Sequence, residues 1–382
     1  MKTEAHTIRL PHAAPARVLA CGAFLKNRAC LVDGDRVHWS ALHGDLGVPE
    51  HRNALSRSVD ELLLSAVGVP DAVAHDLHPD FPSTRLALEL AQRLGASALG
   101  VQHHHAHLGV VLAEQGTTTA VIGIALDGFG LGSDGQAWGG EVLAVDSAAH
   151  AWRRIGHLPL LALPGGDAAA REPWRLAAAV LFALGRGDEI ELRFGPVVGV
   201  DTARLLHGML KRDLNCPRSS SAGRWFDAAA GALGLSVRQS HEADAAMTLE
   251  RAAADWLAQH PDFDVAGAMP DLHAVVADLF DLPTEDHGRG AALFHVVLAH
   301  GLARRASAAA AAHGTRQVVL AGGCFANRVL TQRLRGGLQR AGLTVLVPQG
   351  AGCGDEGLAL GQAWIAAHRL AATDRRRVAL EA

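Results

Sequence analysis

Apolar positions along the chain alternate between two kinds of pattern. Arg17–Val32 (RVLACGAFLKNRACLV) reads as strand, glycine-containing turn, strand. Thr119–Val145 (TAVIGIALDGFGLGSDGQAWGGEVLAV) repeats that plan on a larger scale, with an apolar strand, a Gly/Asp-rich turn and a second strand. Between them, Ser58–Ala66 and Thr84–Leu94 carry apolar residues at helical spacing, the second stopping at Gly95. Val73–Ala74 is a short strand leading into Asp76-Leu77-His78-Pro79, and Gln102–Glu114 predicts a helix stopped by Gly116. From Gly166 to Leu249 the pattern is mainly helical, with Arg175–Leu184, Thr202–Asp213 and Gly223–Leu233 carrying it, and the helices Ala246–Gln259 and Gly290–His313 follow. The chain then reads as strand (Gln317–Leu320), Gly-Gly turn, helix (Asn327–Gln339), strand (Thr344–Val347) and helix (Gly357–His368). Strands followed by helices predict an α/β fold with mixed sheets. Two strand-turn-strand openings roughly a hundred residues apart suggest a duplicated lobe with a cleft between the copies and a boundary near Gly116–Thr119.

Composition narrows the class. Hydrophobic residues at 49% and charged residues at 19% of 382 exclude disorder, and the length exceeds one small core. A formal charge of −4, with no basic tract, gives no support for nucleic-acid binding. No apolar stretch of about 18 residues predicts a membrane span, and MKTEAHTIRLPHAAP has no apolar signal region, so a cytoplasmic protein is expected. The five cysteines are scattered and never spaced CxxC, against a disulfide scaffold or a zinc knuckle. Lysine occurs only at 2, 26 and 211 while the other strong bases are arginine, so Lys26 draws notice.

Two constellations can carry chemistry. In VQHHHAHL (101–108), His103 and His107 stand four apart and share a helix face, as a metal site needs. With 22 histidines, chance gives roughly one such pair, and a solvated histidine-rich turn would look the same. Carboxylates are the usual completion of a two-imidazole site; Asp127 (IALDGFG) lies at a strand end, where turn-capping is the competing role, and Asp355 (GAGCGDEGLALGQ) lies between a strand and the final helix, where helix-capping is. The second constellation is glycine-rich. Leu320–Asn327 (LAGGCFAN) runs strand, Gly-Gly, helix, which lets backbone N–H groups approach a phosphate, although tight turning alone also explains it. Lys26 can reach a phosphate as a mobile point charge, and Asp227 (GRWFDAAAG), inside a helix, either accepts ribose hydroxyls or faces water.

Taken together these stretches resemble one family, the carbamoyltransferase module at the C-terminal end of HypF, the hydrogenase maturation protein. That module is related to the TsaD enzymes within the actin/Hsp70-like superfamily. The matching segments are GAFLKNRACL (22–31), AHDLHPDFPST (74–84), VQHHHAHL (101–108), LDGFGLGSDGQAWGGE (126–141), LPGGDAAAREPWR (163–175), SSSAGRWFDAAAGALGL (219–235), LAGGCFANRVL (320–330) and GDEGLALGQA (354–363), in the family's order along nearly the whole chain. DLHP, QHHHAH and PGGD…REPWR separate HypF from TsaD.

The resemblance implies two actin/Hsp70-like lobes with an interlobe cleft: 15–117, joined by the C-terminal helix 357–370, and a nucleotide- and metal-binding lobe over 118–356. It implies a divalent metal, zinc or iron, on His103, His107, Asp127 and Asp355, with His103, His107 and Asp127 also in the catalytic set. Lys26, Asn27, Asp227, Gly322, Gly323 and Asn327 fall where the family grips the adenylate. The implied activity uses carbamoyl phosphate and ATP, through carbamoyl-adenylate, to carbamoylate the C-terminal Cys of a HypE-like partner for cyanide-ligand synthesis in [NiFe]-hydrogenase maturation. The acylphosphatase, zinc-finger and YrdC-like domains that precede this module in full-length HypF have no counterpart in these residues, which leaves the source of the activated carbamoyl group open. Local departures are HEADAAM (241–247), where the family pattern is YEGQAAM-like, and DEG (355–357), where it is DGG-like. Two other readings stay open: a stand-alone hydrolase of carbamoyl phosphate or carbamoyl-adenylate, and an idle scaffold that binds HypE. His104 and His105 flank the paired histidines, and a helix points them elsewhere.

Overall fold

A computed structural model describes residues 4–66, 68–146, 151–265 and 271–381, with side chains described as far as 373. The first half supplies strands β1 (His6–Arg9), β2 (Val18–Ala20), β3 (Cys30–Asp33) and β4 (Arg36–Trp39), helix α1 (Pro49–Ser65), strand β5 (Ala72–Asp76), helix α2 (Pro82–Leu94), strand β6 (Ser97–Val101) and helix α3 (His103–Gln115). Its strands form one six-stranded mixed sheet in the order β1-β4-β3-β2-β5-β6. The second half opens on strands β7 (Val121–Leu131), β8 (Ala137–Asp146), β9 (Ala151–His157) and β10 (Leu161–Ala162). Helices α4 (Asp167–Arg171), α5 (Pro173–Ala183), α6 (Glu189–Val198) and α7 (Val200–Lys211) come next, then strand β11 (Arg218–Ser219). Helices α8 (Ala222–Ala232), α9 (Asp244–Gln259), α10 (Leu272–Leu279) and α11 (His287–Ala312) lead to strand β12 (Gln317–Ala321), helix α12 (Arg328–Arg340), strand β13 (Thr344–Leu346) and helix α13 (Leu358–Glu381). The second sheet runs β10-β11-β8-β7-β12-β13, with β9 pairing to the far part of β8.

The period of two in each strand decides what faces what. In β7, Ile122, Ile124 and Leu126 enter the core built with α5, α8 and α11, while Val121 and Ala125 enter the core shared with α3 and α13. In β12, Val318 and Leu320 turn to the first of these cores and Val319 and Ala321 to the second. In β5, Val73 faces α1 and α2, whereas Ala72 and Ala74 face α3 and α13. Helices α3 and α13 are thus sandwiched between the two sheets. Accordingly α3 is buried on every side from His103 to Ala113. The two helices cross so closely that a Cβ on Gly361 would lie 1.8 Å from Ala106 O, and one on Gly109 would lie 2.9 Å from Gly361 O.

The predicted strand-turn-strand units and helices are present, with three differences. The Gly/Asp-rich segment after Leu126 is not a turn: β7 continues through it to Leu131, with a register shift between Leu126 and Gly130, and only 132–136 turn. The helix beginning near Ser58 starts at Pro49, where proline at the first helical position needs no donor. Strands β1, β4, β6 and β9 lack a clean periodicity in the sequence, and their pairing partners define them. Among the described residues no helix is long and apolar enough to cross a membrane.

Candidate metal and nucleotide site

Strand parity carries two carboxylates to the central layer. Asp127 continues the β7 series 121, 123, 125, in which Gly123 has no Cβ because one would sit 2.1 Å from Leu108 of α3. Asp76 ends the β5 series 72, 74, 76 and is fully buried. Helix α3 brings His103 and His107 to the same place from its first turn. Gln102 caps that turn, its Oε1 accepting from His105 N at 2.9 Å, while its Nε2 donates to Leu131 O at 3.1 Å and so ties the helix start to the end of β7. Gly130 lets β7 lie against the imidazoles, since a Cβ there would stand 2.6 Å from His104 and 2.8 Å from His103. Asp355 arrives from a short 3-10 turn (Asp355–Gly357) that opens α13.

One potential ligand atom from each of His103, His107, Asp127 and Asp355 lies within 4.8 Å of the others. His107 Nε2 stands 2.7 Å from Asp127 Oδ2 and 3.4 Å from Asp355 Oδ1, and His103 Nε2 stands 3.5 Å and 3.4 Å from the same two atoms. Yet both Nε2 atoms and Asp127 Oδ2 are buried without a hydrogen-bond partner. The donor atoms are close without being aimed along hydrogen-bond lines. They converge on a common point, which is the arrangement of a cation site. His103 Nδ1 donates to Asp76 Oδ2 at 2.7 Å, leaving the lone pair of its Nε2 directed into the cluster. Asp76 Oδ1 in turn accepts from His78 N at 2.9 Å, so the DLHP segment braces this carboxylate. Asp76 was not among the residues expected at the site. The available signal was its parity with Ala72 and Ala74, legible only once the strand is known to end at 76.

The titration directions agree with charge convergence. Burial alone would lower the His103 imidazole, but Asp355, Asp127 and Asp76 raise it well above the usual range. Burial would likewise lower His107, and Asp127 and Asp355 raise it. Burial would raise Asp127, and the two imidazoles hold it well below the usual carboxylate range. A divalent cation held here would therefore compete with protons for one set of atoms. His104 has the opposite fate: burial, with the neighbouring His103, pushes it well down, and its Nδ1 accepts from Gln102 Nε2 at 3.0 Å. His105 points away, its ring 5.4 Å from that of Trp152.

The glycine turn after β12 meets this cluster. A Cβ on Gly322, at φ +106, would lie 2.3 Å from Leu126 O, and one on Gly323 would lie 3.1 Å from Asp127 Oδ1. The turn can take no side chain at Gly322 and borders the cluster at Gly323. Asn327, after it, caps α12 through Leu330 N at 2.9 Å and donates from Nδ2 to His295 Nε2 at 2.9 Å. Burial lowers His295 to about 4, so it stays neutral as that acceptor. Asp227 is buried on α8, with Gln239 Nε2 donating to its Oδ1 at 3.1 Å and Arg224 at 2.9 Å from Oδ2 without hydrogen-bond alignment. Burial lifts its carboxyl to about 6 against the pull of Arg224 and Gln239.

Lys26 occupies a left-handed turn at φ 46, and its Nζ reaches Glu242 of the other half of the chain at 3.4 Å. Burial lowers its ammonium, but Glu242, Glu356 and Asp355 together raise it, which places it at the edge of the Asp355 turn. Asn27 is different. Its Nδ2 donates to Cys21 O at 2.8 Å and Ala23 O at 2.6 Å, and its Oδ1 pairs with His43 at 2.9 Å. Its polar atoms organise its own loop, and it does not join the cluster.

Residues 13–114 match the HypF Kae1-like domain, and residues 123–362 match the second subdomain of the carbamoyltransferase Kae1-like domain. The chain belongs to the HypF carbamoyltransferase family. It is 55% identical over 365 residues to the Carbamoyltransferase HypF homolog of Cupriavidus necator, covering 93% of this chain and 92% of that protein. It is 39% identical over 346 residues to Carbamoyltransferase HypF of Rhizobium leguminosarum bv. viciae, covering 90% of this chain but 44% of that one. It thus spans nearly all of one relative and less than half of the other. Among solved structures, full-length HypF in a phosphate- and nucleotide-bound form superposes with a TM-score of 0.83 at 30% identity, over 95% of this chain and 48% of that one. The T. kodakarensis HypF superposes with a TM-score of 0.84 at 29% identity over 96% and 49%. The expected α/β fold with mixed sheets flanked by helices is the fold of this chain and of these HypF structures.

Proposed function

We propose that this HypF-family carbamoyltransferase moves a carbamoyl group from carbamoyl-adenylate to the C-terminal cysteine thiol of a HypE-like protein, in the maturation of [NiFe]-hydrogenase. The observation that carries the reading is the convergence of His103, His107, Asp127 and Asp355 on one point, from four separate segments, beside a glycine turn fit for a phosphate. In this reading 15–117 with 357–370 form one lobe, and 118–356 form the other.

Two imidazoles and two carboxylates suit zinc or iron, and a divalent cation held there would polarise a carbonyl or neutralise phosphate charge. His103 and His107 would hold it by Nε2, with Asp76 fixing the His103 tautomer. Gly322 and Gly323 let backbone N–H groups approach the adenylate phosphate, and Lys26 adds a mobile positive charge at the rim. In this reading Asp227 accepts from a ribose hydroxyl, and Asn327 holds the far end of the glycine turn through its cap. The thiolate sulfur attacks the carbamoyl carbon, a C–S bond forms, and the C–O bond to the phosphate breaks with AMP leaving on its oxygen. The two imidazoles are buried while Asp127 and Asp355 are part-exposed, so the cluster opens on its carboxylate side.

The test incubates the pure chain with ATP and carbamoyl phosphate, and in parallel with preformed carbamoyl-adenylate, with and without a HypE-like protein. Mass spectrometry of the acceptor reads a carbamoylated C-terminal cysteine in the adenylate arm, lost in His107→Ala. Release of AMP or phosphate that is indifferent to the acceptor, with no modified cysteine, would replace transfer by the hydrolase reading.

A further inference from the structure

The end of α3 remote from the histidines makes an unusual attachment. Three successive backbone amides converge on one carboxylate: Gln349 N donates to Glu114 Oε2 at 2.6 Å, while Gly350 N and Ala351 N donate to Glu114 Oε1 at 2.9 and 2.7 Å. The neighbouring Gln115 Nε2 donates to Val347 O at 3.1 Å. These bonds seize the loop between β13 and α13, the loop that four residues past Ala351 delivers Asp355. Farther along, the same loop is tied down by Gly322 N donating to Cys353 O at 3.0 Å.

The register on α3 makes this more than a surface clamp. His103, His107 and Glu114 lie at offsets of 0, 4 and 11 residues, which at about 100° per residue puts all three on one helix face. One helix, buried from His103 to Ala113, therefore presents two imidazoles at its start and grips the carrier of the fourth ligand at its end. Charge-assisted N–H bonds to a carboxylate are roughly twice as strong as neutral ones, and three share this acceptor. Backbone tied down just before Asp355, with α13 packed on α3 just after it, sets the carboxylate relative to Nε2 of His103 and His107.

We infer that Glu114 is a positioning residue for the candidate metal site, holding the 349–355 loop so that Asp355 meets the imidazoles already fixed by α3. The inference rests on the metal reading above and adds a residue outside the ligand set. The test uses the full chain as wild type, Glu114→Gln and Glu114→Ala. Zinc affinity is measured by competition with a chromophoric chelator, the Co²⁺-substituted proteins are compared by visible absorption, and amide exchange over 349–357 is followed in the metal-free proteins.

In Glu114→Ala, exchange at Gln349, Gly350 and Ala351 should accelerate, zinc affinity should fall about 10- to 100-fold, and the Co²⁺ spectrum should shift as the fourth ligand loosens. Glu114→Gln keeps one neutral acceptor oxygen and should fall between, which guards against a variant that merely unfolds. A folded Glu114→Gln with wild-type exchange over 349–351 overturns the inference. So does accelerated exchange with unchanged zinc affinity and Co²⁺ spectrum. Failure of the wild type itself to bind zinc or Co²⁺ would be the failure of the metal reading, visible in that arm alone, and would take this inference with it.

Discussion

Replacing Asp76 by Asn tests how the site is held without touching a potential ligand. In the native protein Asp76 Oδ2 accepts the Nδ1 proton of His103 at 2.7 Å, in full burial. That bond keeps the proton on Nδ1 and the lone pair on Nε2. A carboxamide can turn its NH₂ toward Nδ1 instead, moving the ring proton to Nε2, where it faces Asp127 and Asp355 and blocks a cation. Even with the tautomer retained, a neutral acceptor makes the imidazole a weaker base. Loss of such a partner lowers metal affinity about 10- to 100-fold, or about 1.4–2.7 kcal/mol. Zinc competition titrations on wild type and Asp76→Asn measure it directly, and thermal unfolding of the metal-free forms controls for stability. The His78 N bond to Oδ1 can persist with Asn, so the loop geometry should survive. Equal zinc affinities, within a factor of two, would show that the tautomer argument is wrong and that the imidazole is oriented by packing alone.

Three further outcomes are expected. Gly322→Ala places a Cβ 2.3 Å from Leu126 O at φ +106, and should lower unfolding free energy in urea by on the order of 3 kcal/mol. Asp227 is raised to about 6 in the folded protein, so its charged form is disfavoured and stability falls as pH climbs from about 4 to 6; Asp227→Asn should therefore be the more stable protein above pH 6, by on the order of 1–3 kcal/mol, while binding adenylate more weakly in calorimetry. His295 is lowered to about 4, so the unfolded chain binds its proton first and stability drops as pH falls from about 6.5 toward 4; urea titrations across that window should show a shallower slope for His295→Gln.

Much of the site could be read from residues in order. The HxxxH spacing places two imidazoles on one face whatever the surroundings, because a helix repeats every 3.6 residues. Val121–Asp127 alternates so that any strand there puts Asp127 on the face opposite Ile122 and Ile124. Helix boundaries at Gly95 and Gly116 are local too, since both residues take the left-handed conformation that glycine accepts without strain. What local pattern could not supply was the company. Asp355 lies some 250 positions beyond His103, and Asp76 lies on a strand whose end is set by pairing with β6; only the stacking of two sheets about α3 and α13 brings them together. The glycine run after Asp127 looked like a turn because short-range preference favours one, yet β8 recruits it into the ladder. Nor does the motif around Asn27 reveal that its amide is bonded within its own loop. Periodicity is a property of neighbours in the chain and is written there. Convergence on a point is a property of packing, where Gly109, Gly361 and Gly123 matter for the side chains they lack, and that is decided only when the layers close.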